Sequence, residues 1–87
     1  MKVLVYTLPN CVQCDMTKKQ FKAHDVAYEE IKLDENPKAV EGLKERYGFT
    51  QAPIIITSAG EAWSGFKLDR IKGVIKAIHA EKAVHHA

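Results

Sequence analysis

What this 87-residue chain lacks narrows its possibilities first. No apolar run approaches the roughly 20 residues a helix needs to cross a bilayer, so no membrane span is expected. No charge of either sign predominates: 13 Lys and Arg stand against 11 Asp and Glu, a net of +2. That balance argues against nucleic acid, whose readers concentrate basic side chains on one surface, and against phosphate as the main partner. With only two cysteines there is no disulfide framework, so a modest core must hold one domain together. No linker, repeat or low-complexity tract divides residues 1–87, and the end from about residue 83, with His85 and His86, is expected to fray. A compact monomer is the expectation.

The opening Met1-Lys2-Val3-Leu4-Val5-Tyr6-Thr7-Leu8 carries one positive side chain and a short apolar run, but no small-residue cleavage site. Pro9-Asn10-Cys11 interrupts it where a secretory leader would continue. The expected compartment is therefore the reducing cytoplasm, where a cysteine pair is more often catalytic or metal-binding than structural.

Val3-Leu4-Val5-Tyr6 is apolar at every position, as in a central strand covered on both faces. Val12 to His24 places Cys14, Thr17 and Phe21 on one helical stripe, with Lys18, Lys19 and Lys22 toward another, solvated side. Ala27 to Leu33 mixes apolar and charged residues in the manner of an edge strand. Asn36-Pro37 opens a second helix with Val40, Leu43 and Tyr47 on its inner face, and Gly48 ends it. Pro53-Ile54-Ile55-Ile56-Thr57 is a β-branched strand that turns through Ser58-Ala59-Gly60 into an antiparallel Glu61-Ala62-Trp63. Asp69 can cap a last helix with Ile71, Val74, Ile75 and Ile78 inward. The order is βαβαββα, a small sheet with helices on both faces. Its first strand-to-helix loop falls at the carboxyl end of the parallel strands, where open α/β sheets place their chemistry.

That loop carries Cys11-Val12-Gln13-Cys14. Two thiols three residues apart can close a small disulfide ring, and a helix starting between them offers amide N–H groups to a thiolate. A free thiol titrates near 8.5, and lowering that by about one unit takes roughly 1.4 kcal/mol, within reach of a helix end. The competing readings are a buried inert pair or part of a zinc site. Zinc wants four ligands, and His24, His79, His85 and His86 show no finger spacing with the thiols, so no metal is expected.

On this topology the chain resembles the thioredoxin-fold glutaredoxins, and more narrowly the NrdH-redoxins. Three motifs carry the likeness: Cys11-Val12-Gln13-Cys14, Gln51-Ala52-Pro53-Ile54, and Trp63-Ser64-Gly65-Phe66-Lys67-Leu68-Asp69, close to that family's Trp-Ser-Gly-Phe-Arg-Pro-Asp. Lys67 stands in place of Arg, keeping the charge without the planar fork, and Leu68 in place of Pro. The resemblance implies a four-stranded mixed sheet flanked by three helices, with Cys11 as nucleophile and Cys14 as resolving thiol. It also implies a cis Ala52-Pro53 bond beside Cys11. Substrate contacts are expected from Val12, Gln13, Ala52, Pro53, Trp63, Ser64, Gly65 and Phe66. Trp63 reads equally well as core, and Thr7 as a strand-end residue rather than a catalytic hydroxyl.

By the same resemblance the protein is a thiol–disulfide oxidoreductase that binds no cofactor itself. It takes reducing equivalents from NADPH through flavoprotein thioredoxin reductase and reduces class Ib ribonucleotide reductase. The alternative is a glutathione-dependent glutaredoxin. Against it, Leu8 stands where many glutaredoxins have Lys, and Ser64-Gly65-Phe66 replaces their Gly-Gly segment. A metal or iron–sulfur carrier using Cys11 across a dimer is a further alternative, and it needs ligands from elsewhere.

Overall fold

The computed structural model describes residues 1–85. The elements run β1 (Val3–Thr7), α1 (Val12–Ala23), β2 (Glu29–Lys32), α2 (Pro37–Tyr47), β3 (Ile54–Thr57), β4 (Ala62–Ser64) and α3 (Leu68–His85), in the expected βαβαββα order. The expected tail from about residue 83 falls partly on the last turn of α3, whose backbone is helical through His85. Residues 86–87, and the side chains from 83 onward, lie outside the described residues.

The sheet order is β2-β1-β3-β4. A crossover through α1 makes β2 parallel to β1, with Val5 opposite Glu30. On the other side β3 runs antiparallel to β1, with Val5 opposite Ile55. The turn after β3 closes with Gly60 N–H donating to the Thr57 carbonyl at 3.1 Å, and β4 returns antiparallel with Trp63 opposite Ile55. This is the mixed four-stranded sheet of a thioredoxin-like fold, flanked by three helices.

Side chains alternate between the faces of a strand, and both faces here are covered. Val3, Val5, Ile55 and Trp63 pack with Phe21 of α1 and Ile71, Val74, Ile75 and Ile78 of α3. On the opposite face Ile54 packs with Leu33 and with Leu43 of α2, with Tyr6, Tyr47, Phe49, Ala52 and Ile56 half-buried around them. The doubly covered β1 explains why it is apolar at every position from Val3 to Tyr6.

Several boundaries differ from the periodicity. β2 spans only Glu29–Lys32, because Leu33 is drawn into a 3-10 turn, Leu33–Glu35, and buried beneath α2. Val40 is 43% exposed, so Leu43 rather than a full stripe anchors α2. Asn36 precedes α2, but its side-chain Nδ2 donates backward to the Lys32 carbonyl at 2.8 Å instead of its oxygen receiving a helix amide. At the other end Gly48, with φ +72°, takes the left-handed conformation that lets its N–H reach the Lys44 carbonyl at 2.9 Å. α3 begins at Leu68, with Ile71 N–H donating to the Lys67 carbonyl at 3.0 Å. Asp69 therefore lies inside the first turn, where its charge meets the positive helix end, rather than capping it.

Candidate active site

Cys11 is the N-cap residue of α1. Its backbone is extended (φ −108°, ψ 104°), and Asn10 before it has φ 57°, a conformation Asn tolerates better than most residues. The Cys14 N–H donates to Cys11 Sγ at 3.1 Å, while Asp15 N–H reaches the Cys11 carbonyl at 3.1 Å. Cys11 and Cys14 are joined as a disulfide, with their Cα atoms 5.2 Å apart. On reduction the same amide and the positive helix end favour a thiolate on Cys11.

The two sulfurs are not equivalent. Cys14 is 1% exposed, because it shares with Thr17 and Phe21 the stripe of α1 that faces the core. Cys11 is half-buried and opens onto a groove of about 480 Å³ between Leu8–Gln13 on one side and Thr50–Ala52 on the other. No residue lining that groove carries a charged side chain.

The groove's second wall is the proline loop. The Ala52-Pro53 peptide bond is cis. The Pro53 ring is buried and Ala52 is half-buried. Pro53 and the segment after β4 are laced together, with Gly65 N–H donating to the Pro53 carbonyl at 2.7 Å and Ser64 Oγ donating to the Gln51 carbonyl. Gly65 has φ +92°, and a Cβ there would meet Gln13 Oε1 only at 3.9 Å, so the backbone angle rather than space calls for glycine. Phe66 N–H donates to Gln13 Oε1 at 3.2 Å.

Val12, Gln13 and Ala52 thus line the groove with Cys11, and Ser64, Gly65 and Phe66 are bonded to its walls. Phe66 is half-buried against the larger core cluster. Trp63 stands apart from this set and is not among the residues that line the groove. At 2% exposure it belongs to the core, because it faces inward from β4 opposite Ile55, with the Arg70 guanidinium 5.2 Å from its ring centre.

A polar cluster beside the loop went unnoticed in the sequence. Thr7 Oγ1 donates to Glu30 Oε2 at 2.7 Å, and Lys18 Nζ lies 3.1 Å from the same oxygen and 3.7 Å from Asp15 Oδ1. The Thr7 hydrogen bond chiefly, and Lys18 after it, hold the Glu30 carboxyl below its ordinary range against the opposing effect of burial. Lys18 in turn is raised, chiefly by its hydrogen bond to Glu30. Thr7 ends β1 as expected, but its hydroxyl is engaged across the strand pair. Thr50 is also a groove residue that no motif marked. Among the described residues no group of three or more His, Cys, Asp or Glu side chains could hold a metal, and His79 Nε2 donates to the His24 carbonyl at 2.9 Å.

The chemistry open to this end of the sheet is two-electron exchange through a small disulfide ring, and that makes the protein a thiol–disulfide oxidoreductase of thioredoxin-like fold. The glutaredoxin family model matches residues 3–61. Glutaredoxin-like protein NrdH of Escherichia coli is 39% identical over 84 residues, covering 95% of this chain and 100% of that protein. NrdH of Lactococcus lactis is 46% identical over 65 residues, covering 75% and 88%. The solved NrdH-redoxin from Escherichia coli superposes with a TM-score of 0.78 at 38% identity, over 83% of this chain and 92% of that one. The glutaredoxin of Archaeoglobus fulgidus does so with a TM-score of 0.74 at 25% identity, over 85% of each. The chain belongs to the glutaredoxin family, among its NrdH-redoxins.

Proposed function

We propose that this redox carrier takes electrons from NADPH through a flavoprotein thioredoxin reductase and delivers them to the active-site disulfide of class Ib ribonucleotide reductase, in support of deoxyribonucleotide synthesis. It works in the cytoplasm as a monomer with no cofactor of its own. No helix among the described residues is long and apolar enough to cross a membrane.

Exchange proceeds in two balanced steps. The Cys11 thiolate attacks one sulfur of the partner disulfide, that bond breaks, and the other sulfur leaves as a thiolate that takes up a proton. Cys14 then gives up its proton and attacks Cys11 Sγ, forming the internal disulfide and expelling the partner's second thiolate, which is protonated in turn. The partner gains two electrons and two protons, and the reductase restores the same number to the carrier. During the first step an extended partner segment pairs with the Ala52 backbone across the groove, flanked by Val12, Gln13, Ser64, Gly65 and Phe66.

The observation that carries the choice of reductant is the uncharged groove. Glutathione brings two carboxylates to the sulfur it reduces, and none of the side chains that line the groove offers them a cation. A protein reductase that meets the groove with an extended apolar segment has no such need. The test compares disulfide turnover with NADPH and thioredoxin reductase against turnover with NADPH, glutathione and glutathione reductase. The first system is expected to drive turnover, and rapid turnover in the glutathione system alone would establish a glutathione-dependent glutaredoxin instead.

A further inference from the structure

One face of α1 takes no part in the fold, and it begins beside the reacting sulfur. Val12 is 72% exposed and Met16 41% exposed. Lys19 continues the stripe at the i, i+4, i+7 spacing that aligns helical side chains, and Lys22 follows. Together with Asp15 and Lys18 these residues line a shallow groove of about 390 Å³. Lys18 is engaged by Glu30 at 3.1 Å and Asp15 at 3.7 Å. Lys19 and Lys22 have no carboxylate within ion-pair distance among the described residues. The groove therefore offers an exposed apolar start and two unneutralised ammonium groups further along.

We propose that this groove docks an acidic segment next to the reactive cysteine of the disulfide-bearing protein that the carrier reduces. An apolar side chain of that segment covers Val12 and Met16, and carboxylates meet Lys19 and Lys22. Helix rise sets the register: at about 1.5 Å per residue, Met16 lies about 7 Å, Lys19 about 12 Å and Lys22 about 16 Å along the axis from Cys11. An extended partner chain advances about 3.3 Å per residue, which places its apolar residue about two positions, and its acids about four and five positions, from its cysteine. A second copy of this chain is a poor occupant, since it would bring the same basic face. Complementary charge of this kind raises the encounter rate and orients the docking.

The inference rests on the disulfide-reductase reading but not on the identity of the reductase, so the test uses protein reduced chemically and freed of reductant. Its rates are measured on two cystine peptides of equal length, each with Leu two positions from the cysteine and with either Asp or Lys at positions four and five, and on the uncharged bis(2-hydroxyethyl) disulfide. At low ionic strength the acidic peptide is expected to react about tenfold faster than the basic one, with the ratio falling as salt is added. In Lys19→Glu/Lys22→Glu the ratio should fall to one or below, and in the neutral Lys19→Gln/Lys22→Gln it should lie between. Equal rates in the unaltered protein, or a ratio that survives charge reversal, would overturn the docking groove. Failure of the reduced protein to react with the uncharged disulfide would overturn the exchange reading beneath it.

Discussion

Gln13 Oε1 accepts the backbone N–H of Phe66 at 3.2 Å, so a side chain between the two cysteines holds the segment that follows β4. Removing the acceptor should loosen that segment without touching either sulfur. In Gln13→Leu the Phe66 amide is expected to exchange with solvent about three- to tenfold faster, the span that corresponds to losing one ordinary hydrogen bond. Gln13→Glu keeps an acceptor and should keep the protection. Amide hydrogen exchange by NMR checks both, and unchanged exchange in the Leu variant would show that the bond does not hold the loop.

The proposed roles of the two sulfurs, Cys11 attacking and Cys14 resolving, agree with their unequal burial and are tested by substitution. Cys11→Ser should abolish exchange, because the remaining thiol is shielded from partners. Cys14→Ser should accumulate a mixed disulfide between Cys11 and the substrate, seen as a mass increase that reductant reverses. Full dithiol turnover in Cys14→Ser would mean that Cys14 is not the resolving thiol.

Thr7 and Glu30 supply a pH prediction. The folded state lowers the Glu30 pKa, so the unfolded chain binds that proton at the higher pH. The resulting stabilisation is complete above the ordinary carboxyl range and is lost as pH falls through the lower folded-state value. Thr7→Val removes the largest cause of the shift and should cost about 1 kcal/mol at neutral pH. Urea titrations along a pH series should show the gap between the two proteins closing in acid.

The two sides of the sheet should respond differently to truncation. Phe21 is fully buried in the larger cluster, and Phe21→Ala should cost about 3–5 kcal/mol, a large part of a small domain's stability. Leu43, in the smaller cluster with half-buried neighbours, should cost nearer 2 kcal/mol on the same change. Chemical denaturation of both variants decides the order.

The parts of this molecule that were legible in its sequence are those written in local periodicity. Unbroken apolarity from Val3 to Tyr6 marks a strand covered on both faces, and the Cys14, Thr17, Phe21 spacing marks the buried stripe of α1. Asn36 and Asp69 were harder, since a capping side chain competes with nearby carbonyls and a helix can start one residue early. Trp63 gave no local sign of its environment, because its bulk suits a core and a contact surface equally. The bonds that assemble the site join residues far apart in the chain: Gln13 with Phe66, Gln51 with Ser64, Thr7 with Glu30. No period of 2 or 3.6 residues encodes such pairs, and only the three motifs taken together placed most of these residues at one end of the fold.

Ala52, which forms one wall of the groove beside Cys11, packs against the smaller of the two clusters. Local opening of a protein follows its least-buried contacts, so α2, held chiefly by Leu43, and with it the Ala52 side of the groove, is expected to loosen before the larger cluster under mild denaturant or heat. The thiols sit at the start of α1, whose Phe21 belongs to the larger cluster, so they are expected to stay in place while that wall loosens. Selectivity among partners would then fade at conditions where the dithiol still reacts with small disulfides, leaving a less discriminating reductant before the fold itself is lost.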